Sequence, residues 1–195
     1  MAKGRNDFSS SVIRRKDLRK PKELSDEALL EQAKKMAEID DSYGSQGYAY
    51  NQIKTNKRSG INGCLGEIVF RDYTDCKLHD YENVGEVYHY DLKWNGLKYD
   101  VKTMTVFQKP PLTRDACITA FWNQKPEGLI FVYVMGDHTK AWIGGYLSYD
   151  EFYKKAVYIK AGHVRSDGFK YKWDNYTCMI SDLREIDINN TTMNE

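Results

Sequence analysis

Hydrophobic positions along the chain change period several times, and each change marks an element. A helix is expected to start near Ser25. Ser25 is a good N-cap, Asp26 and Glu27 bring negative charge to the first turn, and Leu24 and Leu29 stand at hydrophobic-staple spacing. Leu29, Ala33 and Met36 continue as one apolar stripe suited to docking on a core. Residues 41–60 are polar and turn-rich and read as a loop. The run INGCLGEIVFRDY predicts a second helix over 61–73. Its Gly63 and Gly66 cost helix propensity, and the expected return is close backbone approach to whatever the helix meets. Residues 86–94 and 97–105 read as two strands joined by Asn95-Gly96, the strongest short hairpin signal. GLIFVYVM (128–135) predicts a buried strand and AWIGGYLS (141–148) a further one. DEFYKKAVYI near 150–159 reads as a helix, ambiguous at its end, and 176–180 as a last short strand. The expected fold is mixed α/β (α+β): a central mixed sheet that contains an antiparallel hairpin, flanked by helices.

Composition narrows the class. With 195 residues, 41% of them hydrophobic, the chain has apolar mass for one core. No stretch approaches the roughly 20 apolar residues of a membrane span, and the first residues hold no apolar run of a secretory signal. A cytoplasmic protein with no membrane partner is therefore expected. The four cysteines include no C-x-x-C pair and read as reduced thiols. Formal net charge is only +1, so a nucleic acid would have to be met by local charge. Residues 1–22 supply some, with eight basic side chains, Arg14 and Arg15 among them, against Asp7 and Asp17. Such a segment contacts phosphates or is simply a solvated terminus. The expected division is a basic tail over 1–22, a helix and loop over 23–60, a core domain over 61–188 and a C-terminal tail over 189–195.

The hairpin carries the candidate chemistry. A two-residue turn sets Trp94 opposite Leu97, Lys93 opposite Lys98, Leu92 opposite Tyr99 and Asp91 opposite Asp100. Alternation then puts Tyr90, Leu92, Trp94, Leu97, Tyr99 and Val101 on one face. The other face takes His89, Asp91, Lys93, Lys98, Asp100 and Lys102. Like charges directly across a ladder destabilise it. A divalent cation between Asp91 and Asp100 would offset the repulsion, and carboxylates are the ligands Mg²⁺ and Mn²⁺ prefer. Lys102, on the same face, suits holding a phosphate or polarising a water. Glu67, mid-helix in GCLGEIVF, would complete an acidic cluster if the glycines let its helix press on the sheet. An exposed hairpin of mixed charge and a surface glutamate share the same pattern.

The order helix-Glu, strand-Asp, then Asp-x-Lys on the next strand resembles the PD-(D/E)XK nuclease superfamily, whose fold is restriction-endonuclease-like. The matching stretches are GCLGEIVF (63–70) and YDLKWNGLKYDVKTMT (90–105), and the resemblance covers about 63–160. Tyr90 stands where the motif's name has proline, and Glu82 or Glu86 could take the place of Glu67. The resemblance implies Mg²⁺- or Mn²⁺-dependent hydrolysis of DNA phosphodiester bonds by an endonuclease, and many small enzymes of the family it resembles act as homodimers. In that scheme Asp91, Asp100 and the Val101 carbonyl hold one ion. Glu67 holds a second ion or its water, and Lys102 orients the attacking water.

Substrate contacts would need further positive charge. Lys154, Lys155, Lys160, Arg165, Lys170 and Lys172 lie close in sequence with one acid, Asp167. Tyr158, Phe169 and Tyr171 interleave with them, a mix suited to backbone tracking with stacking on unpaired bases. Gln108 is a weaker candidate for a substrate contact. Two rival readings use the same residues: a non-catalytic nucleic-acid-binding protein of this fold, and an oligomeric interaction protein whose Asp and Lys pair for structure alone.

Overall fold

The computed structural model describes residues 22–24, 27–45, 57–78, 90–120 and 125–186. The N-cap at Ser25, the expected strand residues 86–89 with His89, the alternatives Glu82 and Glu86, Arg14, Arg15 and the C-terminal tail lie outside them. In chain order the elements are β1 (Lys22–Glu23), α1 (Glu27–Ser45), α2 (Lys57–Thr74), β2 (Lys77–Leu78), β3 (Leu92–Trp94) and β4 (Leu97–Val106). They continue with β5 (Asp115–Thr119), β6 (Gly128–Met135), β7 (Lys140–Ser148), α3 (Tyr149–Lys155), β8 (Val157–Ile159) and β9 (Asn175–Met179). The fold is mixed α/β, as the pattern of elements predicts.

A six-stranded sheet runs in the order β1-β7-β6-β4-β3-β2, and β4 and β6 are its parallel pair. The unbroken apolar run of β6 explains its central place, since a strand covered on both faces needs no polar side. The chain between β4 and β6 carries β5, which joins β9 and β8 in a separate three-stranded antiparallel sheet. One face of the large sheet takes α2: Leu65, Ile68, Val69 and Phe70 share a core with Leu92, Trp94, Tyr99, Val101, Ile130 and Val132. The other face holds Leu129, Phe131, Tyr133, Trp142 and Leu147 against Ala116, Ile118, Cys178 and Phe152. Among the described residues no helix is long and apolar enough to cross a membrane, and all four cysteines are free thiols.

The expected loop over 41–60 is shorter than its polarity suggests, because α1 runs on to Ser45 and α2 begins at Lys57. The helix expected over 150–159 stops at Lys155. Ser148 and Glu151 form a capping box at its start, and Ala156 turns extended at ψ 143°. Val157–Ile159 then pairs with β9. Here β-branched residues with a strand to pair with outweigh helical spacing.

Two glycines of α2, Gly66 and Gly63, do different things. A Cβ on Gly66 would stand 1.9 Å from Thr103 Oγ1 and 3.0 Å from its Cβ. This is the close approach that seats α2 on β4. A Cβ on Gly63 would meet nothing within 4 Å. Gly66→Ala should therefore lower stability by about 1–3 kcal/mol through overpacking, against a helix-propensity gain of about 1 kcal/mol. Gly63→Ala should be neutral or stabilising by up to about 1 kcal/mol. Urea midpoints of the two variants check this, and the opposite order would overturn the docking account.

Candidate active site

The hairpin turn forms as its sequence dictates. Asn95 and Gly96 take φ of 50° and 76°, and the register is Trp94 to Leu97, Lys93 to Lys98 and Leu92 to Tyr99. There the ladder ends. The next expected pair, Asp91 with Asp100, is absent from it. Instead the Asp91 N–H donates to Tyr99 O at 2.8 Å, and Asp91 Oδ2 accepts the Val101 N–H at 2.6 Å. A side-chain oxygen thus occupies a backbone donor of β4. The bend also moves Tyr90 off the apolar set to which alternation assigns it. Its buried ring lies beneath the ammonium groups of Lys93 and Lys98, 5.5 and 4.8 Å from the ring centre. Leu97, the other departure from that set, is exposed beside the turn.

Four groups converge on Asp91. Asp100 is on β4, only 3% exposed. Lys102 is two residues on, half-buried, with its ammonium against Asp100 Oδ2. That contact has no hydrogen-bond geometry, so Asp100 Oδ2 remains a buried oxygen without a hydrogen bond. Glu67 is buried on α2, one position past the glycine that touches Thr103. Val101 contributes its N–H. Burial pushes the Asp91 carboxyl well above the ordinary carboxylate range, and the charges of Asp100 and Glu67 push it further. Lys102 and the Val101 N–H act in the opposite sense without restoring the usual value. The helix glutamate, both aspartates and the lysine are therefore one electrostatic unit.

Such a unit suits a hard divalent cation. Its donors are carboxylate oxygens, its charges repel one another, and one buried oxygen has no hydrogen bond. The side chains do not stand in a closed ligand set: among the described residues no three His, Cys, Asp or Glu are grouped so as to hold a metal ion. The Lys102 ammonium lies against Asp100 instead. Comparison of the sequence with protein-family models and with curated proteins returned no match.

The described basic residues expected to meet substrate lie on α3 and in the loop between β8 and β9. Lys154, Lys155, Lys160, Lys170 and Lys172 are exposed. Lys155 donates to Asp182 O at 2.8 Å. Arg165 has another role. It is half-buried, 2.6 Å from Asp115 Oδ2, and it also pairs with Asp167. The Tyr171 hydroxyl donates to the same Asp115. Asp115, on the short strand β5, is the anchor that sequence reasoning missed, since 50 residues separate it from Arg165. Gln108 lines a shallow cleft with Phe107, Pro110, Pro111 and Arg114, past the end of β4 remote from Asp100.

The raised Asp91 pKa has a sign. The folded protein keeps this proton to higher pH than the unfolded chain does. Stability therefore falls as pH climbs from the ordinary carboxylate value, about 3.9, towards the raised folded value, and it is level beyond. Each pKa unit of elevation corresponds to about 1.4 kcal/mol. Asp91→Asn keeps an oxygen for the Val101 N–H and removes the charge. Urea midpoints in EDTA should show wild type losing stability across this window while Asp91→Asn does not. A wild-type profile as flat as that of the variant would overturn the assignment.

Proposed function

We propose that the chain is a Mg²⁺- or Mn²⁺-dependent deoxyribonuclease that cuts DNA phosphodiester bonds internally and acts in the cytoplasm. The observation that carries this reading is the meeting at Asp91, tied to the Val101 N–H where β3 leaves β4, of the charges of Asp100, Glu67 and Lys102. Asp91, Asp100, the Val101 carbonyl and Glu67 would hold the cation, which when bound supplies Lewis-acid charge neutralisation at the scissile phosphate. The chain's own groups do the rest. Asp91, tied to the Val101 N–H, fixes the strand segment that bears Asp100 and Lys102. Lys102, whose ammonium lies beside Asp100, would orient the attacking water and help its deprotonation. Exposed lysines of α3 and of the loop between β8 and β9 would supply charge for the phosphate backbone. A homodimer is part of the expectation from the resemblance.

The Lys102–Asp100 ion pair also favours a second reading, a DNA-binding protein of the same fold in which lysine neutralises the acids and nothing is cut. A cleavage assay on mixed DNA substrates with Mg²⁺, Mn²⁺ or EDTA separates the two. The first reading expects metal-dependent cutting. It expects Lys102→Ala to slow cutting by about a hundredfold or more while the variant remains folded under the assay conditions. Full activity in that variant, or no cutting of any substrate, would reject it. Mg²⁺ should also raise the unfolding midpoint of wild type and leave that of Asp91→Asn unmoved, because a ligand stabilises the state that binds it.

A further inference from the structure

The loop between β8 and β9 offers aromatic rings and lysines together on a fastened surface. Phe169 is 48% exposed and Trp173 49%, and Lys160, Lys170 and Lys172 are exposed among them. The acids of the loop are turned onto its own structure. Asp167 pairs with Arg165 and accepts the Phe169 N–H at 3.2 Å. Asp174 accepts the Ala161 N–H at 2.7 Å and the Tyr158 hydroxyl. The Arg165 guanidinium also lies 5.2 Å from the centre of the Phe169 ring, and Val164 bridges Lys170. Fixing the acids in this way leaves the lysines to set the outward charge.

The loop is tied to the side of the sheet that Asp100 and Lys102 face. Met104, one step along that face from Lys102, touches Cys117 of β5 through sulfur at 3.7 Å. Asp115 of the same strand holds Arg165 and Tyr171 of the loop.

We infer that this loop is a platform for unpaired nucleotides, so that the site takes single-stranded DNA or a single-stranded segment of it. The choice of DNA rests on the nuclease reading above; the choice of unpaired strand rests on the loop. Ring faces stack on bases only when the bases are free of a duplex, and lysines between the rings follow the backbone. Lysine is depleted from the cores of protein interfaces, so alternation of lysine with aromatics argues against a protein partner.

The test is fluorescence-anisotropy titration of the full-length protein in EDTA with a labelled mixed-sequence oligonucleotide of about 15 nucleotides, single-stranded or annealed. Single strands should bind about tenfold tighter than duplex. Trp173→Ala should lose about tenfold on single strands, Phe169→Ala a similar factor, and Trp173→Phe should stay within about twofold of wild type. Equal affinity for duplex, no loss in the alanine variants, or no binding would each overturn the platform. Cutting in Mg²⁺ by the same preparations judges the hydrolytic reading separately. Cutting without strand preference in binding removes the platform alone. Strand-selective binding that needs the rings, without cutting, supports the platform and removes the hydrolytic reading.

Discussion

The Asp91 carboxylate on the Val101 N–H is the contact around which this end of the molecule is arranged. A backbone donor in a buried strand has to be met, and a continuing hairpin would meet it with a backbone carbonyl. Here the side chain meets it, so β3 is free to leave β4 after Leu92. Past Leu92 the β4 donor at Val101 is met by a side chain instead, next to Asp100 and Lys102. The contact also keeps an ionisable group where burial and two other carboxylates oppose its charge. Replacing that contact with an ordinary ladder would make a more regular hairpin and would release the Asp91 carboxyl from the Val101 N–H.

The two faces of the sheet position the remaining parts by different means. On one face the approach of α2 is set by a missing side chain: Gly66 lets the helix backbone come down on Thr103, and Glu67 follows one residue later. On the other face the constraint is ionic. Asp115 fastens Arg165 and Tyr171 and so brings a loop from beyond β8 to β5, which itself touches β4 through Met104 and Cys117. Burial pushes the Cys117 thiol up to about 11, so it sits there as a small apolar group rather than a nucleophile.

What was legible in the sequence follows from how local each cause is. The hairpin turn could be read because Asn-Gly meets a two-residue demand for positive φ. Strand β6 could be read because eight consecutive residues share one environment. That Asp91 would feel Glu67, Asp100 and Lys102 was legible in part, from the hairpin turn and the small residue Gly66, although the Asp91–Asp100 pairing itself does not form and Thr103 lies far from Gly66 in the sequence. The bend at Asp91 was not legible, because alternation carried past Leu92 gives no hint that a carboxylate will compete for the Val101 N–H. Strands β5 and β8, five and three residues long, owe their existence to β9, which lies far along the chain. Arg165 read as a phosphate contact because nothing near it in sequence except Asp167 announces a partner, and Asp115 is 50 residues away.

The same locality explains why the acids are tolerated at all. Each is placed by a contact that does not depend on its charge: Asp91 by an N–H, Asp100 by the pairing of β4 with β6, and Glu67 by the seat of α2. Their repulsion therefore acts on a frame already held by apolar packing on both faces of the sheet. The frame resists it, and the Lys102 ammonium against Asp100 and the Val101 N–H on Asp91 offset part of what remains. In the proposed reaction a cation takes over part of that role and leaves the lysine for the water. A site built this way is least comfortable when deprived of positive charge, which is why the lysine belongs to its stability as well as to its chemistry.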